Sequence, residues 1–409
     1  MSQNTPAITA GSGPSGLRYL YLALGIVLLL AMGLVYAWSI FVPPLAAEFG
    51  WDPSKTSMGF TILMSMFCLG GIATGLITKK YPVGLVVFLS ALLVGGGFYA
   101  SSTLQSLAGL YLFFSVMVGL GVGMTYNAVL SSILKWFPDK IGLISGLLMM
   151  GFGLGSFILS TVGTSSIQNY GWRATFVRLG IVYFFVILIC SFFVRPPGPG
   201  VVFKKPSQVK KKAEDGLELP ASQMLKRQAF WFFFLWAVVL TAASLMVIGA
   251  ATPIARSLGA DSIKAGFLTG MIAISNGCGR VIAGVLHDKL GRKIVLPIYS
   301  VLFTVTGCVL YLAITSQSLT LITVGFLMTG LAYGGIPPSS STVISRFYGQ
   351  KNYSLNFSLA NTSILAASFL GPALAGQMQS KSQSYGSTFM AIIIFGVLSI
   401  AFCFKIRRP

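Results

Sequence analysis

Apolar residues do not alternate along this chain; they run. Continuous apolar stretches of some twenty residues follow one another from about Arg18 to Phe404, separated by short polar connections. About twenty helical residues cross a hydrocarbon core of about 30 Å, and the chain divides into about twelve such spans. Membrane-crossing strands would alternate apolar and polar positions, so continuous runs predict helices. The first run, from about Arg18 to Val42, is too long for the core of a secretion signal and lacks a small-residue cleavage site. It is expected to be a mature helix. The fold class expected is all-α integral membrane.

Composition agrees, with 55% hydrophobic and only 9% charged residues, against about 25% charged in a soluble domain. A net charge of +20 raises nucleic acid as a partner, but its distribution excludes that reading. Lys and Arg gather in alternate connections: Lys79 and Lys80, Lys135 and Lys140, the 195–228 segment, Lys289 to Lys293, Arg346 and Lys351, and Lys405 to Arg408. This asymmetry is the positive-inside pattern. It predicts a multi-pass protein of the cell (inner) membrane with both termini cytoplasmic and a basic face toward anionic lipid. All five cysteines (Cys68, Cys190, Cys278, Cys308, Cys403) fall within the runs, as packing residues and not disulfides.

The long polar break at 195–228, rich in Pro, Gly and Lys, reads as a cytoplasmic linker with an amphipathic segment near Leu219–Leu225. It separates an N-terminal half (1–194) from a C-terminal half (229–409), each with six spans. The halves echo each other. "PLAAEFGWDPSK" from Pro44 matches "PIARSLGADSIK" from Pro253, an offset of 209 residues. Gly119 and Gly123, followed by Lys135-Trp136-Phe137, recur at an offset of 211 as Gly330 and Gly334, followed by Arg346-Phe347-Tyr348. "YGWRATF" from Tyr170 recurs as "YGSTF" from Tyr385. A parallel repeat of this kind predicts a site near the midplane, between the halves, open alternately to each side.

The turn after the eighth run, "GVLHDKLGRK" from Gly284, carries the most specific signature. It resembles the intracellular loop motif of the major facilitator superfamily, with Gly284 for close packing, Asp288 to cap or pair across the face, and Arg292 and Lys293 at the headgroup side. The first-half copy, "GLITKKYPVG" from Gly75, has Lys79 in the place of Asp288. Asp139, in the turn after the fourth run, completes the expected gating set. "KWFPDKIGLISGLLMMGFGLGS" from Lys135, "VYAWSIF" in the first run, and Arg280 ahead of the loop motif resemble the oxalate/formate antiporter family. That family is similar in turn to the monocarboxylate transporters.

None of the eight acidic residues lies in a run interior, and the one histidine, His287, reads as an interfacial residue of the cytoplasmic turn. Arg178 is close enough to a run end to snorkel. Arg280 is different. With a span from about 263 to 286 it lies about 9 Å inside the cytoplasmic end; snorkelling is the alternative to a cavity-facing role. Asn276 shares its helix face at i−4, Gly277 and Gly279 thin the helix, and no carboxylate is at hand. An unpaired cation there costs about 2.5–3.5 kcal/mol, which points to use in binding an anion. Its planar fork suits a carboxylate.

The family resemblance implies the same role for Arg280. It also implies, in oxalate-handling members, a lysine in the eleventh span; here Ala360 or Asn361 stands at that place, which favours one carboxylate over two. Monocarboxylate transporters are expected to carry an aspartate where this chain has Asn276, so their proton coupling does not transfer directly. Tyr36, Tyr126, Asn127, Tyr333, Asn356 and Asn361 are further candidates to line the cavity, each equally explained by packing. Pro337 and Pro338 predict a bend in the tenth span.

The function expected is secondary transport of a small monocarboxylate such as lactate or pyruvate, proton-coupled, with oxalate/formate-type exchange as the alternative. No GxSxG serine or cluster of metal ligands points to an enzyme or a cofactor. The expected partners are the carboxylate and the bilayer, with the chain acting as a monomer.

Overall fold

A computed structural model describes residues 15–33, 38, 40–51, 53–198, 217–382 and 384–407. Its helices follow the apolar runs. In the first half, α1 (Ser15–Met32), α2 (Pro53–Ile77), α3 (Val83–Ser101) and α4 (Leu107–Trp136) precede one stretch, Ile141–Ser191, that supplies both α5 and α6. The chain turns between those two at Gly171, whose φ of 78° and ψ of 162° disfavour any side chain. The second half holds α7 (Gln228–Ile248), α8 (Ser262–Leu290), α9 (Arg292–Thr315), α10 (Leu319–Tyr348), α11 (Tyr353–Ser382) and α12 (Gly386–Lys405). Among the described residues, ten helices are long and apolar enough to cross a membrane, and two shorter apolar ones, Gly16–Met32 and Ile141–Gly155, complete the twelve. Large apolar side chains such as Leu112, Phe185, Phe369 and Phe404 are more than half exposed. In a bilayer those side chains meet lipid.

The two halves are built on one plan. In the first, Gly119 and Gly123 of α4 lie against the carbonyls of Leu63 and Phe67 on α2. In the second, Gly330 and Gly334 of α10 lie against the carbonyls of Ile272 and Asn276 on α8. These partners are related by the offsets already legible in the sequence, 211 residues for the glycines and 209 for the carbonyls. Small residues at such crossings let backbones approach, the main source of helix association in lipid.

The ends of α2, α4, α8, α10 and α12 lie on one side, where Lys79, Lys135, Lys289, Arg346 and Lys405 also gather; this is the basic face. The chain returning from the linker is pinned there. Leu219 donates its N–H to the Tyr348 carbonyl at 3.2 Å, and Asn356 Nδ2 donates to the Leu219 carbonyl at 3.0 Å. The short helix Ala221–Met224, with Met224 fully buried, occupies the place expected for the amphipathic segment. On the opposite face, the short helix Val42–Phe49 presents Glu48 to Arg173 Nη2 and Trp172 Nε1, each at 2.6 Å. Those hydrogen bonds, Arg173 first, hold the Glu48 carboxyl below its ordinary range.

Candidate functional site

Two seams join the halves, and they are related by the repeat. In one, α8 packs on α5; in the other, α2 packs on α11. Gly284 meets the carbonyl of Gly142 across the first seam, and its counterpart Gly75 meets the Cα of Leu355 across the second.

Arg280 sits in the α8–α5 seam. Helix α8 continues to Leu290, beyond the end expected from the sequence, so Arg280 lies about 15 Å along the helix from the basic face, not about 9 Å. Its side chain is not extended to the surface: Arg280 is only 6% exposed. Nε donates to Asn276 Oδ1 at 3.2 Å, and Nη1 donates to the carbonyl of Met149 on α5. Gly153 leaves room for the guanidinium, since a Cβ there would be 3.3 Å from Cζ. Nη2 donates to no group among the described residues, so part of the fork stays available.

The acidic side chains among the described residues are all engaged elsewhere. Glu48 pairs with Arg173, and Asp139 with Arg18 at 3.9 Å. Glu218 accepts from the Gln350 and Lys351 N–H groups. Asp261 caps α8 at Lys264 N. Asp288 Oδ1 and Oδ2 accept from the N–H groups of Gly142 and Leu143, at 3.0 and 2.8 Å, and Oδ1 also from Arg346 at 3.2 Å. The central cation is therefore not neutralised by a described carboxylate.

Tyr126 and Tyr333 both come within electrostatic reach of Arg280, one from each half. Tyr126 is buried in an aromatic cluster, with Phe152 at 5.0 Å and Phe67 at 5.2 Å between ring centroids, and with Phe357 of the other half at 6.5 Å. Asn276, Arg280, Tyr126 and Tyr333 thus converge. Asn361 lies in the other seam, where its backbone carbonyl accepts from Cys68 Sγ at 3.8 Å. Tyr36 falls outside the described residues.

Toward the basic face the seams are closed. Besides Asp288, Asn127 of α4 bridges the halves. Its Nδ2 donates to the carbonyls of Gly71 and Ser354, at 3.0 and 2.8 Å, and to Ser358 Oγ; its Oδ1 accepts from Ser354 Oγ at 2.9 Å. Toward the opposite face, the described contacts of this α8 face with α5 end. A Cβ on Gly277 would still meet Met150 and Leu154, at 3.7 and 3.8 Å, but one on Gly270 or Gly266 would meet no described residue within 4 Å. Among the described residues, the α8 face above Arg280 is therefore left uncovered, as a cleft between α8 and α5.

Several sequence expectations change here. Arg292 does not reach for headgroups; it stacks on Phe347 at 4.2 Å and donates to the Ile406 carbonyl at 2.9 Å, tying α9 to α10 and the end of α12. His287 is fully buried within α8 and bonded to Ser339 Oγ at 2.7 Å, not placed at the interface, because the helix extends past it. Asn356 holds the linker end and does not face the cleft. Arg178, by contrast, is exposed and lies over Tyr170 at 3.5 Å, as a snorkelling residue would. The Met149 carbonyl and the Ser354–Ser358 pair had no signal in the sequence, since neither a backbone acceptor nor a serine on an apolar helix is distinctive.

A family model described as Major Facilitator Superfamily matches residues 22–254 and 236–409. The chain belongs to that superfamily. Its members are membrane transporters and not enzymes. Within the superfamily, this protein is 26% identical over 383 residues to the oxalate:formate antiporter of Oxalobacter formigenes, covering 91% of this chain and 88% of the relative. It is 25% identical over 403 residues to monocarboxylate transporter 4 of Gallus gallus, covering 94% and 83%. The fold matches the proton:xylose symporter XylE with a TM-score of 0.76, at 15% identity and 96% coverage of both chains.

Proposed function

We propose that this transporter carries small monocarboxylates, such as lactate or pyruvate, by alternating access with a proton as co-substrate. The observation that supports this most is Arg280: a buried cation between the halves, without a carboxylate partner and with part of its fork unbonded among the described residues. The substrate carboxylate docks on that fork, and its apolar remainder meets the aromatic wall around Tyr126. Tyr333 and Asn276 orient it, with Asn361 and Tyr36 completing the proposed lining. Neutralising Arg280 loosens the α8–α5 seam, where its Nη1 holds Met149, and lets the halves rock.

In this reading the basic face is cytoplasmic in the cell's inner membrane, both termini lie on that side, and the conformation described is open outward. The chain works as a monomer, with halves at 1–194 and 229–409 around the 195–228 linker. Asp288, Gly284, Arg292 and Asp139 serve the cytoplasmic gate. A single cation, with Ala360 and Asn361 where a lysine is expected in oxalate-handling relatives, favours one carboxylate over a dianion.

Uptake of labelled lactate into proteoliposomes tests the proposal. Arg280→Gln abolishes uptake while the protein is still inserted, and a pH jump drives uptake by the parent. Wild-type uptake by the variant would contradict the role of Arg280. The 26% identity to an oxalate:formate antiporter supports a second reading, carboxylate exchange. Strong trans-stimulation by a dicarboxylate, with no response to a pH jump, would decide for it.

A further inference from the structure

A cavity of about 400 Å³ opens on the basic face, away from the central cleft. Among the described residues its wall carries four cations, Lys79, Lys135, Arg195 and Lys351, and no acidic side chain. Arg195 is held in place: its Nε donates to Tyr21 Oη at 3.0 Å, and its carbonyl accepts from Trp136 Nε1 at 2.9 Å. The nearby Glu218 is occupied by the N–H groups of Gln350 and Lys351. Ser132 also lines the cavity; it is 1% exposed, and its Oγ has no partner among the described residues. Four donors of positive charge around a buried hydroxyl make a receptor for a phosphate group.

Two further observations narrow the ligand. Tyr81 and Phe192 line the same cavity and are 55% and 74% exposed. They stand at the ends of α2 and α6, so exposed apolar groups share the cavity's rim with its cations. The wall also comes from both halves. Gly75, Ser131 and Lys135 belong to the first, and the 350–355 turn belongs to the second. That turn reaches the cavity only because Gly75 abuts Leu355 and Asn127 holds Ser354.

We infer that this cavity binds the headgroup phosphate of an anionic phospholipid, and that the bound lipid holds the α2–α11 seam closed. A ligand that contacts both halves in one arrangement favours that arrangement over any in which they part. The inference uses the proposed function only to name the leaflet. Its test reads closure of the seam and not uptake, so the two can fail separately.

The experiment is hydrogen–deuterium exchange on the full chain in phosphatidylcholine nanodiscs, with and without phosphatidylglycerol. Peptides covering 71–79 and 350–358 should exchange several-fold more slowly with phosphatidylglycerol present. K135Q/K351Q should lose that slowing, and K226Q/K405Q, neutralised on the same face outside the cavity, should keep it. Should K135Q/K351Q not fold, K79Q/R195Q carries the same comparison. No slowing in the parent, or equal slowing in the cavity variant, overturns the inference. Slowing by inorganic phosphate in pure phosphatidylcholine, without any from phosphatidylglycerol, overturns the lipid in favour of a soluble phosphate.

Discussion

The two seams between the halves occupy equivalent places, yet they are made of different chemistry. The contacts across the α2–α11 seam are made by neutral groups: Gly71, Gly75 and the Asn127 amide meet Ser354, Leu355 and Ser358. The α8–α5 seam is charged: at the same offset of 209 residues, Arg280 replaces Gly71, and Asp288 replaces Lys79. A strictly symmetric transporter would present two cations or none to the cleft. Among the described residues this one presents a single cation, backed by Asn276 and a carbonyl on the facing helix. Under the proposed function, the difference would make one seam a hinge of fixed polarity and the other the one that couples closure to the charge state of the cleft.

The largest effect should come from filling the close approaches. Gly284→Val sets side-chain atoms against the Gly142 backbone, and Gly75→Val against Leu355 Cα. Overpacking costs about 1–3 kcal/mol or more, and neither partner can yield as a side chain would. Both variants should insert normally, lose nearly all transport, and expose the basic-face gate to labelling. Near-normal flux in either would remove that seam from the gating account.

Next come the polar ties, where the seams should differ. Asp288→Asn weakens charged hydrogen bonds, worth about 1.5–3 kcal/mol each, and should shift the opening equilibrium roughly ten- to a hundred-fold. Asn127→Ala removes neutral bonds worth about 1 kcal/mol each, and should shift it less. Gate opening measured by spectroscopic distance distributions checks the order. An equal or reversed order would mean that charge does not distinguish the seams.

The smallest effect lies outside both seams. Because Arg173 and Trp172 lower the Glu48 pKa, Glu48 contributes stability above its ordinary value of 4.5, lost as pH falls through its lowered value. Glu48→Gln should melt slightly below the parent at pH 7, and the gap should close as pH falls below 4.5 and through the lowered value. A gap that persists in acid would place the effect in packing and not in ionisation.

Much of this was legible in the sequence, for physical reasons. Twelve spans follow from continuous apolar runs, and the repeat follows from glycines and the loop motif because backbone contacts at α4 and α10 demand small residues. Arg280 was legible because a cation in an apolar run is costly. What it touches was not. Its partner carbonyl at Met149 lies 131 residues away, and the Asn127–Ser354 tie spans 227. No local pattern encodes such pairings. The depth of Arg280 and the burial of His287 were misjudged together, since a polar HDK stretch reads as a turn although α8 runs through it to Leu290.

The central claim is that Arg280 holds a carboxylate. Calorimetric titration of lactate into the purified protein and into Arg280→Gln tests it without reference to flux or coupling. Losing a desolvated charge-assisted pair costs about 2–5 kcal/mol, roughly thirty-fold or more in affinity. Saturable binding by the parent, with loss of at least that size in a folded variant, is the predicted result. Equal affinity in the two proteins would contradict the account.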